Sequence, residues 1–168
     1  AIGAERNVRA QTEMGGKNVV IVAADGDLDR AASLTAAGAM RYAGQKCTAI
    51  RRILVPEAMS EGFRDDLADR LAAVVVGNPL TEGVRMGPLA TSGQKAAVLE
   101  GLSLLARDGR LVHSRPGLKP EGAPEGKGFF VSPTLLEVEP GAEAPSVHSH
   151  EVFGPVATIV PYDGSATQ

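Results

Sequence analysis

The chain has 168 residues, enough for one domain with a core of its own. Hydrophobic residues make up 43% and charged residues 22%, and a formal charge of −3 supplies no basic face for nucleic acid. No apolar run nears the roughly 20 residues that cross a bilayer, and the opening AIGAERNVRA lacks the apolar centre of a signal peptide.

A single cysteine forms no internal disulfide, which points to a reducing cytoplasm. The chain opens without methionine, and the expectation is a piece of a longer protein. In chain order, NVVIVA (18–23) is a short run rich in β-branched residues and predicts a strand buried on both faces. Asp25 or Asp27 caps the helix that follows, in which Leu28, Ala31, Ala32, Thr35, Ala39 and Tyr42 recur at helical spacing and Gly44 is the stop. Cys47 then lies just past a helix end.

ILVP (53–56) predicts a second strand. Pro56 and Glu57 open a helix to about Val75, with Phe63, Leu67, Leu71 and Val74 along one side. GNPLTEGVRMGPL is a loop, and Thr91 caps a helix that runs to about Arg107. RLVHS predicts a third strand, 114–128 an irregular excursion in the manner of a hairpin, and FFVSPTLLEV and VATIVPY two further strands. Strands alternating with helices give an α/β fold: a largely parallel sheet flanked by helices.

Three places carry residues suited to chemistry. Cys47, with Gly44, Gln45, Lys46 and Thr48 around it, is either a small packing residue or a thiol whose turn offers backbone N–H groups to a developing oxyanion. Glu13 in QTEMGGKN is either a solvated surface carboxylate beside a plain Gly15-Gly16 turn, or a carboxylate that this bend holds at a sheet edge, where α/β folds bind ligands. In HSHEVFGPV, Glu151 and Phe153 lie two apart and face the same way if extended, so that a carboxylate and a ring meet one ligand; loop charge plus core phenylalanine is the plain alternative. His148 and His150 lack a third partner in any metal-binding spacing.

EMGGKN, then AGQKCTA with its cysteine 34 residues after Glu13, then EVFGPV about a hundred residues on, resemble the NAD(P)-dependent aldehyde dehydrogenase superfamily. ADGDLDRA between the first two is similar as well, and the resemblance runs from about residue 11 to 163. GQKCTAIRR and PSVHSHEVFGPVATIVPY most resemble the semialdehyde dehydrogenases of aerobic phenylacetate degradation, which act on ring-cleaved CoA thioesters; some members of that group differ where this chain has EMGGKN.

The resemblance implies an aldehyde dehydrogenase-like catalytic domain over 18–168, led into by the end of a nucleotide-binding domain over 1–17. It implies Cys47 as nucleophile through a thiohemiacetal and a thioester, its backbone N–H as one oxyanion donor, and Glu13 as the base that activates hydrolytic water. Glu151 and Phe153 would hold the ribose and nicotinamide of NAD or NADP, with Gln94 near the cofactor. The presence of Glu13 favours release of a free acid over transfer to CoA. A small-molecule aldehyde substrate and a homo-oligomeric parent are implied too. The family's oxyanion asparagine and adenosine-binding strands have no counterpart in these residues, and no Gly-rich dinucleotide fingerprint appears, so the chain alone is expected to be inactive. The alternatives are a structural or assembly domain with a non-catalytic cysteine, or a cysteine acyl-transferase or esterase pairing Cys47 with His148 or His150.

Overall fold

A computed structural model of the chain describes residues 5–9, 11 and 15–165. Its elements are β1 (Asn18–Ile21), α1 (Leu28–Met40), a 3-10 turn (Arg41–Gly44), β2 (Ile50–Pro56), α2 (Glu57–Ala72), α3 (Ser92–Leu105), β3 (Gly109–His113), β4 (Thr134–Val138), α4 (Pro145–Ser149) and β5 (Val156–Tyr162).

The five strands form one sheet in the order β1-β2-β5-β4-β3. The first four run parallel, with Val20 opposite Ile53, Leu54 opposite Val160 and Leu136 opposite Thr158. β3 closes the far margin antiparallel to β4, with Leu111 opposite Leu136. This is the expected α/β fold with its largely parallel sheet.

The strands β4 and β5 are buried almost throughout, which suits the largely apolar TLLEV and VATIVPY; the one charge among them, Glu137, accepts from Ser60 at 3.1 Å and pairs with Arg110. α1 and α2 pack side by side against the sheet. α1 presents Ala32, Thr35, Ala36, Ala39 and Met40, and α2 presents Phe63, Leu67 and Leu71. Each of the three α2 side chains is fully buried, worth about 1.5–3 kcal/mol apiece in transfer from water. Both N-caps form as expected: the Asp27 carboxylate accepts from the Arg30 N–H at 3.0 Å, and the Thr91 hydroxyl from the Gln94 N–H at 3.1 Å.

Several expectations are corrected. β1 is not buried on both faces: it is the outermost strand, and Val19 and Ile21 are 46% and 62% exposed. α1 ends at Met40, before Gly44, because the chain turns left-handed at Tyr42 (φ 54°), Ala43 (φ 53°) and Gly44 (φ 69°); Tyr42 therefore points outward. β2 begins three residues early, at Ile50, with Arg51 and Arg52 inside it. Residues 114–128 form turns, without hairpin strands; Glu121 makes an isolated parallel bridge to Gly77. α4 is a short helix that no periodicity announced.

Candidate active site

The site is built where the carboxyl-side loop after α1, the entry to β1 and the segment before β5 meet. The loop comes first. Three consecutive left-handed residues swing the chain off α1, a conformation costly for Tyr42 and Ala43 and natural for Gly44. Gly44 is required twice over: a Cβ there would overlap the Gly154 backbone. The loop then closes on itself through Gln45 N–H to the Tyr42 carbonyl at 2.9 Å and Ala49 N–H to the Lys46 carbonyl at 3.0 Å. Cys47 lies within that last turn, exposed. The packing alternative for Cys47 requires burial, which this placement does not provide.

The entry to β1 holds the loop from the other side. The Asn18 side-chain amide donates to the Cys47 carbonyl at 2.5 Å and to the Ala49 carbonyl at 3.0 Å. The Lys17 ammonium donates to the His150 carbonyl. A Cβ on Gly15 would come within 3.3 Å of the Glu151 carboxylate, so the Gly15 backbone lies against that side chain. Glu13 itself, with Thr12 and Met14, lies outside the described residues.

The third wall is Glu151 to Gly154. Glu151 and Phe153 line one cavity of about 250 Å³ together with Gln94, Val98, Gly101 and His150. Phe153 is partly exposed there and is no core phenylalanine. The Glu151 Oε1 atom is buried and accepts no hydrogen bond among the described residues, while the residue itself lines the cavity. Gln94, on the first turn of α3, contributes an amide to the same wall. A larger cavity of about 870 Å³ lies between α3 and the 114–132 segment, but Cys47, Glu151 and Phe153 do not line it.

Two residues that the sequence reading left without a role join these parts. Arg51 and Arg52 are neighbours on β2 and so point to opposite faces. Arg51 turns inward, 4% exposed. Its guanidinium donates to the carbonyls of Gly44 and, at 3.1 Å, of Gly154; it lies 3.9 Å from the Glu151 carboxylate and 5.5 Å from the centre of the Phe153 ring. Burial lowers its pKa from the ordinary guanidinium value, and Glu151 counters that shift. Arg52 donates to the Lys17 carbonyl at 2.9 Å and approaches His148 Nδ1 at 3.3 Å. A buried charge inside a strand needs partners, and the carbonyls of Gly44 and Gly154 are those of Arg51.

The electrostatics are lopsided. Glu151 lies near both Arg51 and Lys17, and Arg52 adds a third positive charge beside Lys17. Burial first, then Arg52, push the Lys17 ammonium down to about 8, while Glu151 pulls it up. Burial, then Arg52 and Lys17, also lower His148. Neither His148 nor His150 hydrogen-bonds Cys47 among the described residues, and no group of three or more metal-ligating side chains gathers there.

The chain matches, over residues 1–167, the model of the aldehyde dehydrogenase family. It is 49% identical over 120 residues to a 3,4-dehydroadipyl-CoA semialdehyde dehydrogenase of Aromatoleum evansii, covering 71% of this chain and 23% of that protein. It is 35% identical over 158 residues to an alpha-ketoglutaric semialdehyde dehydrogenase of Bacillus subtilis (strain 168), covering 94% and 32%. Among solved structures, a variant of aldehyde dehydrogenase C from Pseudomonas syringae, in complex with NAD+ and octanal, superposes with a TM-score of 0.81 at 28% identity, covering 95% of this chain and 32% of that one. The chain thus spans a third or less of the length of the relatives it matches. By its full-length match to the family model and by these relatives, the chain belongs to the aldehyde dehydrogenase family.

Proposed function

We propose that the protein carrying this chain oxidises an aldehyde to its carboxylic acid with NAD+ or NADP+, and that Cys47, Glu13, Glu151 and Phe153 do the work assigned to them by resemblance. The observation that supports this most is the joining of three motifs at one place: Asn18 bonds the Cys47 carbonyl, Gly15 lies against Glu151, and Arg51 reaches both Gly44 and Gly154. Residues 18–168 are the catalytic domain in this reading, and 1–17 the end of the nucleotide-binding domain.

The chemistry follows from the groups. The Cys47 thiolate adds its electron pair to the aldehyde carbon, and the carbonyl oxygen becomes an oxyanion beside the Cys47 backbone N–H. Collapse of that thiohemiacetal expels a hydride, for which a nicotinamide held by Glu151 and Phe153 would be the two-electron acceptor. The carbon is then a thioester on Cys47. Glu13 takes a proton from water, whose oxygen attacks the thioester; the C–S bond breaks, the acid leaves and the thiolate returns. Sulfur suits both halves, since it attacks well and leaves well. Glu151 would hold hydroxyl groups of the cofactor ribose, and Phe153 and Gln94 bound the same cavity.

The proposed substrate is a CoA-linked semialdehyde of the kind consumed in aerobic phenylacetate degradation. Its support is the 49% identity over 120 residues to a dehydrogenase named for a CoA-linked semialdehyde, beside the resemblance of GQKCTAIRR. A homo-oligomer in the cytoplasm completes the proposal.

The test uses the protein expressed from its own gene with a panel of aldehydes. Cys47→Ala abolishes NAD(P)+ reduction. Glu13→Gln gives one rapid turnover and then stalls with an acyl group on Cys47, visible as added mass. Undiminished turnover in Cys47→Ala would sink the proposal.

A further inference from the structure

Among the described residues, the Arg51 side chain hydrogen-bonds both the thiol-bearing loop and the Glu151 segment. Its Nη2 donates to Gly44, three residues before Cys47, and its Nη1 to Gly154, three residues after Glu151. These two glycines are in backbone contact, since nothing larger than hydrogen fits on Gly44 against Gly154. Arg51 therefore spans a seam between two pieces of chain more than a hundred residues apart in sequence.

The third nitrogen is the informative one. Arg51 Nε and Glu151 Oε1 are both buried, and neither has a hydrogen-bond partner among the described residues. They face each other at 3.9 Å, an ion pair too long for a hydrogen bond. A guanidinium held this close to a carboxylate orients it. The Phe153 ring at 5.5 Å closes the remaining side of the guanidinium and is oriented by it.

We infer that Arg51 is the positioning residue of this site: it locks the Cys47 loop and the Glu151–Phe153 segment into one frame and orients the Glu151 carboxylate within it. A planar fork is needed for this. A lysine could pair with Glu151 but could not reach the two glycine carbonyls at the same time. The frame stands on the geometry alone; only its value for cofactor binding rests on the reading of Glu151 given above.

The experiment separates these. Arg51→Met, Arg51→Lys and Glu151→Gln are made in the protein expressed from its gene. Two readouts are taken: hydrogen–deuterium exchange of the backbone, and affinity for NAD+ and NADP+ by titration. Arg51→Met speeds exchange in peptides covering 43–49 and 151–156 together, leaves α2 unchanged, and weakens dinucleotide binding about tenfold or more. Arg51→Lys speeds exchange in both segments yet keeps affinity within about threefold, because the charge beside Glu151 remains. Glu151→Gln weakens binding and leaves exchange at 43–49 unchanged. If Arg51→Met does not fold, the Lys and Gln variants carry the test. Unchanged exchange in either segment of Arg51→Lys overturns the frame. Faster exchange with no dinucleotide binding by any form, wild type included, overturns the proposed function and leaves the frame standing.

Discussion

Asn18 clamps Cys47 through its main chain: one side-chain amide reaches the Cys47 carbonyl at 2.5 Å and the Ala49 carbonyl at 3.0 Å. The residue before the first apolar strand thus sets the pitch of the turn carrying the thiol, without touching the sulfur. Asn18→Ala leaves two carbonyls without their donor and costs about 1–3 kcal/mol of stability, read from the urea midpoint. Asn18→Asp is worse, because a carboxylate facing two carbonyls cannot donate. Both variants slow Cys47 alkylation if the turn orders the thiol, and an unchanged alkylation rate in Asn18→Ala would show that it does not.

Gly44 and Gly16 respond oppositely to alanine. Gly44 has φ 69° and abuts Gly154, whereas a Cβ on Gly16 meets nothing within 4 Å. Gly44→Ala destabilises by about 3 kcal/mol or more, enough to lower the thermal midpoint by over ten degrees or prevent folding. Gly16→Ala stays within about 0.5 kcal/mol of the wild type. Thermal denaturation of the two variants side by side decides the matter, and equal midpoints would contradict the contact.

Lys17 titrates at about 8 instead of the ordinary lysine value. Removing the nearby positive charge with Arg52→Met raises that midpoint, and removing the negative one with Glu151→Gln lowers it further. Burial, the largest cause, persists in both variants. Isotope-edited NMR of the reductively methylated lysines reads the midpoints directly. Because the folded value is depressed, the unfolded chain binds the extra proton between about 8 and the ordinary value, so Lys17 adds stability as pH rises through that window.

His113 makes the fold acid-sensitive. Burial first, then Arg115, lower its pKa, and its Nε2 is buried with no hydrogen-bond partner among the described residues. The folded state resists the proton that the unfolded chain accepts at about 6.5. Its stabilising contribution is therefore complete above that value and is lost as pH falls below it. Urea midpoints at pH 7.5 and pH 5 differ in the wild type, and the difference shrinks in His113→Gln. A difference of the same size in the variant would remove His113 from the account.

The fold was legible where one period dominates a stretch. α2 reads from Phe63, Leu67 and Leu71, and β5 from VATIVPY, because packing alone decides them. β2 was read short because Arg51 and Arg52 look like solvated charge, and only their partners explain them inside a strand. The left-handed turn at 42–44 was invisible because Tyr42 and Ala43 carry no sequence mark of positive φ. In the candidate site, Cys47, Glu151 and Phe153 were readable as side chains suited to chemistry. Asn18, Lys17 and Arg51 were not, since each serves the site by bonding main-chain carbonyls, which have no signature in the sequence.

The outer margin of the sheet has its own consequence. Among the described residues β1 pairs only with β2, so its other side offers unpaired backbone donors and acceptors beside the apolar Val19 and Ile21, with Leu34 of α1 also open nearby. Such a strip is a template for strand addition. Without a neighbour along that margin, the chain becomes prone to self-association as its concentration rises, and a lysine at position 19 or 21 is the natural guard against it.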